Sequence, residues 1–300
     1  MTLPLAVTIK NNTMPLSDQL VSIFTVSDFI SLFSRDNMLA LIFFSLLVGL
    51  ATMSLKEKGA LLAAFFQAGQ EVSMRLVTFI MYYAPIGFFA YFAVLVGTLG
   101  SKLVEVYLRA TVIYSLAALV YFICGLTLYA YLAGKKRGIK VIWKNIYFPA
   151  LTALATCSSA ATIPANLTAA RNIGVPAQVY ELAIPLGSVM HKDGSVLGGI
   201  VKIAFLFGVF HMNFTTPGAI GMAVIVAVLV GTVMGAIPSG GMVGEMLILS
   251  VYGFPPQTLI IIAAISILID PLATMLNATS NTVCSMLVAR LVEGKHWLRE

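Results

Sequence analysis

The chain has 300 residues, 59% of them hydrophobic and only 10% charged, with a mean hydropathy of +0.96. A soluble domain is about 25% charged, so this chain cannot clothe a core in water: a soluble enzyme, a nucleic-acid module and a disordered tail are excluded, and an all-α, multi-pass protein of the lipid bilayer is implied. The net charge of +6 is then a topology signal and not a nucleic-acid footprint.

Residues 1–37 carry no ordered basic, apolar and small-residue cleavage pattern of a secretory signal. They form a mostly polar, partly amphipathic lead-in with a weakly apolar stretch near Leu20–Phe33. A spanning helix needs about 20 mostly apolar residues. Met38–Leu55 is the first candidate, and with its amphipathic connector it makes a scaffold-like segment over 38–71. Two spanning helices follow in 72–134, at Leu76–Leu99 and Val112–Ala133, closing on Lys135, Lys136, Arg137, Lys140 and Lys144. Beyond this point Gly, Pro, Ser and Thr interrupt the apolar stretches in their middles.

The Lys and Arg residues alternate from side to side. The stretch 56–75 holds Lys56, Lys58 and Arg75, and the C-terminus holds Arg290, Lys295 and Arg299. The connections at 100–111, 211–217 and 253–257 hold only Lys102 and Arg109. The bias places 56–75, 134–144 and the C-terminus in the cytoplasm, with the cell inner membrane as the expected location. Trp143 and Trp297 sit beside basic residues as interfacial anchors, and His211 and His296 fall at span ends. Cys124, Cys157 and Cys284 are dispersed, which predicts neither a disulfide scaffold nor a metal site.

Two stretches are interrupted in the same way. The first runs Ala155-Thr-Cys-Ser-Ser-Ala-Ala-Thr-Ile-Pro164, Gly174-Val-Pro-Ala-Gln178, then an apolar run broken at His191-Lys-Asp-Gly-Ser195. The second runs Gly235-Ala-Ile-Pro-Ser-Gly-Gly241, Gly253-Phe-Pro-Pro-Gln257, then an apolar run broken at Asp270-Pro271 and Asn277-Ala-Thr-Ser-Asn281. The pattern predicts a hairpin plus broken span at 139–211, a hairpin plus last span at 217–292, and a cytoplasmic tail at 293–300. Non-helical backbone at membrane depth survives only where protein buries it or it lines a cavity. Interrupted segments at corresponding positions of two halves point to a transporter's midplane site. Lys192, Asp193 and Asp270 lie too deep to snorkel and are functional candidates by default; the structural alternative is a buried pair of Lys192 with Asp270 or Asp193.

These motifs resemble the dicarboxylate/amino acid:cation symporter family, the glutamate-transporter homologues. Tyr83-Ala-Pro-Ile-Gly87 is similar to the family's fifth span. Thr156–Pro164 resembles the serine-rich tip of its first re-entrant hairpin, and Gly235–Gly241 the glycine-rich tip of its second. His191-Lys-Asp-Gly-Ser195 stands for Asn-Met-Asp-Gly-Thr, and Ala273–Asn281 for Arg-Thr-Met-Val-Asn-Val-Thr-Gly-Asp. The resemblance implies an elevator-type secondary transporter with inverted-repeat pseudo-symmetry, a homotrimer, lacking the family's first spans. It implies no cofactor beyond a coupling cation, sodium or a proton. It puts Ser158, Ser159, Ser195, Ile237, Pro238, Ser239, Gly240, Asp270, Thr274 and Asn277 in the substrate site, with Asp270 holding an amino group and Asn277 an α-carboxylate.

The departures from the family matter as much. Its arginine for an acidic side chain is Ala273 here, so a second substrate carboxylate would be buried unpaired. A small neutral amino acid such as serine, threonine or alanine is favoured over a dicarboxylate; a glutamate carrier with a relocated basic residue is the alternative. The cation set becomes His191, Lys192, Asp193, Asn277 and Asn281, with sodium placed at Asp193 and Asn277. Lysine has no oxygen to give sodium. Either its ammonium is a tethered cation near a sodium site, with coupling lost, reduced or moved to protons through Lys192, His191 or Asp193, or it points at a carboxylate and the sodium sites work. Glu245 reads as the partner of a nearby hydroxyl or lysine, with a gate or proton-relay carboxylate as the alternative, and Lys202 and Glu181 as lying toward the ends of the broken span. A membrane hydrolase would need a Ser158–His191 dyad, for which no acid is spaced. A non-transporting, truncated remnant is the remaining reading.

Overall fold

The computed structural model describes residues 25–26, 28–33, 38–99, 101–234, 240–295 and 297–298. Among these residues the chain is helical throughout. Helix α1 (Met38–Ser54) and a 3-10 turn (Lys56–Gly59) lead into α2 (Ala60–Leu99). Helix α3 (Ser101–Val120) passes through a π turn (Tyr121–Gly125) into α4 (Leu126–Asn145), which bends where Gly134 and Lys135 leave helical φ/ψ. Val112–Ala133 is thus part of a longer rod. Leu76–Leu99 falls in α2, much of whose side-chain detail lies outside the described residues.

The remaining helices are α5 (Tyr147–Thr156), α6 (Ser159–Ile173), α7 (Ala177–Met190), α8 (Asp193–Val209), α9 (Pro217–Met234), α10 (Gly240–Tyr252) and α11 (Thr258–Glu293). Three helical stretches among the described residues are long and apolar enough to cross a membrane: Glu105–Asn145, Pro217–Met234 and Thr258–Glu293. Helix α5 continues the stretch before it, since the Ile146 N–H bonds to the Ile142 carbonyl and the Ile146 carbonyl accepts from Ala150. The chain then turns back at Cys157 and Ser158, and α6 packs against α5 as a hairpin.

The two units close their hairpins identically. Gly174 and Gly253 adopt φ of +95° and +66°, which a Cβ would resist. In each unit the glycine N–H bonds three residues back and the next N–H five back: Gly174 to Arg171 and Val175 to Ala170, Gly253 to Ser250 and Phe254 to Leu249. This double closure satisfies the final carbonyls of α6 and α10, and prolines follow at once to start the next segment.

The units then diverge. The first breaks at His191–Lys192, between α7 and α8, as the sequence predicts. The second does not break: α11 runs through Asp270–Pro271 and Asn277–Asn281 as one helix. The reason is that its polar side chains find acceptors and donors on other helices or on its own previous turn, so the backbone has no need to unwind. Helix α11 is the axis of the packing, in contact with α3 through α8 and with α10, while α9 lies on α8 and α10.

Candidate functional site

The break between α7 and α8 is held by side chains from three helices. Asp193 opens α8, where a carboxylate complements the helix dipole. Lys192, at the N-cap position, offers no capping side chain. The cap comes instead from α11: Asn277 Oδ1 accepts from the N–H groups of Gly194 (2.9 Å) and Ser195 (3.2 Å), and its Nδ2 donates to Ser195 Oγ at 2.9 Å. The fit is tight, since a Cβ on Gly194 would come within 2.3 Å of the Ala273 carbonyl oxygen. Ala273, the position of the family's arginine, is buried against this turn.

Tyrosines on α3 and its π turn complete the wall. Tyr107, Tyr114 and Tyr121 are seven residues apart and share one helix face. Tyr107 Oη donates to the Ile261 carbonyl at 3.0 Å, Tyr114 Oη to the Gly194 carbonyl at 3.1 Å, and Tyr121 Oη to Asp193 Oδ2 at 2.6 Å. The sequence reading missed this ladder, although tyrosines at a spacing of seven along an apolar rod are a legible signal. It also missed Asn166 of α6, fully buried, which donates to the Ala278 carbonyl and accepts from Thr282.

The residues that replace the family's cation set contact one another. His191 Nε2 lies 2.9 Å from Asp193 Oδ1, while its Nδ1 faces Asn281 Oδ1 at 3.3 Å and Ser280 Oγ at 3.4 Å. Asn281 in turn donates to Ser188 Oγ. An acid therefore does orient His191, contrary to the sequence reading. The hydroxyl in reach is Ser280, however, only 2% exposed and donating to the Asn277 carbonyl. Ser158 is engaged elsewhere, its Oγ accepting from the Ala161 N–H as the N-cap of α6.

Lys192 pairs with neither Asp193 nor Asp270. Its Nζ donates to Ser159 Oγ at 3.2 Å, bringing the break to the tip of the first hairpin. Asp270 is exposed and accepts from Thr274 Oγ1 at 3.3 Å. Ser158, Ser159, His191, Lys192, Asp193, Ser195, Asp270, Thr274, Asn277 and Asn281 thus gather around the α6 tip, the break and the middle of α11. Gly240 begins α10, and Ile237, Pro238 and Ser239 lie outside the described residues. A cavity of about 410 Å³ opens on the other side of the break, lined by Tyr121, His191, Lys192, Asp193, Gly231 and Thr232 among others.

Lys202 is not near a span end. It is 2% exposed in the middle of α8, paired with Glu245 of α10, itself 1% exposed, at 3.4 Å and donating to Ser266 Oγ of α11 at 2.8 Å. Ser266 also donates to Glu245. Glu245 is the partner of a lysine and a hydroxyl, as the sequence predicts.

Hairpin tip, helix break and polar last helix are thus assembled in one place, and the sequence comparison agrees over nearly the whole chain. The sodium:dicarboxylate symporter family matches residues 5–291. The chain belongs to this family. It is 28% identical to bovine neutral amino acid transporter A over 257 residues, 82% of this chain and 47% of the relative. It is 30% identical to human excitatory amino acid transporter 1 over 272 residues, 88% of this chain and 48% of the relative. A Caenorhabditis elegans excitatory amino acid transporter is 26% identical over 261 residues, 83% and 50% respectively. The chain spans about half the length of these relatives. The relatives are transporters by name, and the family together with the three long apolar helices makes this chain an integral membrane protein.

Proposed function

We propose that this protein is a secondary active transporter of a small α-amino acid with a neutral side chain, such as serine, threonine or alanine, working by alternating access. The observation that carries the reading is the meeting of the α6 tip serines, Asp270 with Thr274, and the α8 break in one polar site on helices otherwise apolar. An exposed carboxylate suits a substrate ammonium, and hydroxyls and N–H groups at a helix start suit a carboxylate. Ala273 offers no guanidinium to a second carboxylate, and Lys202 is engaged by Glu245. The neutral side chain follows from that.

Transport is coupled to a cation in this reading. Sodium needs oxygen ligands, yet Asn277 Oδ1 already accepts two N–H bonds and each Asp193 oxygen one contact. Asn277 Oδ1 therefore has little left for sodium, while each Asp193 oxygen keeps a lone pair; the drive in this reading is a proton gradient. By resemblance, a substrate-carrying domain slides against a fixed scaffold, in a homotrimer with a cytoplasmic C-terminus. Proteoliposome uptake of labelled alanine, driven in turn by a sodium or a proton gradient, tests the reading. Uptake with a proton gradient alone is expected; glutamate uptake in preference to alanine would overturn the substrate class, and strict sodium dependence the coupling.

A further inference from the structure

Lys192 has one described partner and room for more. The side chain is 6% exposed, and its ammonium carries three donors. Only Ser159 Oγ receives one of them among the described residues. Its sequence neighbour Asp193 is engaged by His191 and Tyr121, and the buried carboxylate of Glu245 by Lys202. A cation at membrane depth ordinarily has a partner, and here the described protein supplies only a hydroxyl.

The direction in which Lys192 reaches identifies the missing partner. Ser159 is the first residue of α6, 15 residues long. At its start the Ala161 N–H is bound by Ser158 Oγ and the Thr162 N–H by the Ser158 carbonyl, which leaves those of Ser159 and Ala160 as first-turn donors. Two N–H groups and an ammonium converging on one tip are a receptor for a carboxylate. Asp270 of α11 is exposed, bonds to Thr274 Oγ1, and forms no ion pair among the described residues. A positive and a negative side chain thus stand in the site without pairing with each other.

We infer that the Lys192 ammonium is the counter-charge for the ligand's carboxylate, opposite the ammonium that Asp270 receives in the amino-acid reading above. Lys192 is then a specificity-determining residue, supplying from the chain itself the positive charge set beside the carboxylate. The inference rests on the amino-acid reading above for the ligand's ammonium, but the carboxylate half stands separately.

Calorimetric titration of the detergent-purified full chain with L-alanine, propionate and L-alaninamide separates the two. Alanine and propionate bind, and alaninamide, which lacks the carboxylate, binds at least about thirtyfold more weakly than alanine, the low end for losing one member of a buried charge pair. Lys192→Met loses about thirtyfold or more for both alanine and propionate by the same reckoning, while Lys192→Arg, which keeps the charge, retains most of the affinity. The wild-type ligand series needs no variant to fold. Alaninamide binding as well as alanine, or Lys192→Met binding alanine as wild type does, overturns the inference and leaves the amino-acid reading intact. Lys192-dependent binding of propionate without binding of alanine supports the inference and overturns the amino-acid reading. Binding of none of the three by folded wild-type chain overturns both.

Discussion

The two halves of the site region share a hairpin and a glycine closure, then treat polarity in opposite ways. In the first, His191 and Lys192 interrupt the helix and α8 restarts at Asp193. In the second, Asp270, Pro271, Asn277 and Asn281 all sit in one continuous helix. The difference is where the partners are. Asn277 faces the open N–H groups of α8, Asn281 faces Ser188 and His191, and Thr282 faces Asn166. The second helix stays whole because it satisfies the break in the first. A polar residue in an apolar run predicts a partner, and only sometimes a break.

The comparison can be broken or sharpened by substitution, with unfolding in detergent as the readout. The largest effect is expected inside the second unit's anchor to α8. Glu245→Leu leaves the Lys202 charge buried without its carboxylate and should cost about 3–5 kcal/mol, while the Lys202→Met, Glu245→Leu double variant should come close to wild type. Next is Asn277→Ala, which removes a cap from a helix start in the other unit and should cost about 2 kcal/mol. If α11 were merely tolerant of polar residues, that variant would be neutral. Tyr121→Phe deletes one hydrogen bond to a carboxylate and should cost about 1.5 kcal/mol, with Tyr114→Phe smaller because its acceptor is a neutral carbonyl. The smallest effects test the shared closure: Gly174→Ala and Gly253→Ala should each cost about 1 kcal/mol, and a marked inequality would argue against equivalent hairpin ends.

Much of this was legible in the sequence because it is local. A histidine and a lysine followed by Asp-Gly inside an apolar run mark the break at His191–Lys192, and Gly-x-Pro marks both hairpin ends. What failed was non-local. Lys202 reads as peripheral until α10 brings Glu245 to it from 43 residues away. Asp270–Pro271 reads as a break until the packing of α11 is known. For Lys192 the sequence offers either a tethered cation or a carboxylate partner, and the fold turns it to Ser159. The tyrosine ladder is the opposite case, a period of seven plainly present and overlooked because each tyrosine alone resembles packing.

The central claim is that this site receives a small amino acid with one carboxylate. It is tested most directly by the thermal stability of the purified chain against a panel of amino acids, with and without sodium, since a ligand of the folded state raises its apparent stability. The account predicts a rise with serine, threonine or alanine, none with glutamate or aspartate, and no dependence on sodium. A rise with glutamate or aspartate and none with the neutral amino acids would contradict it.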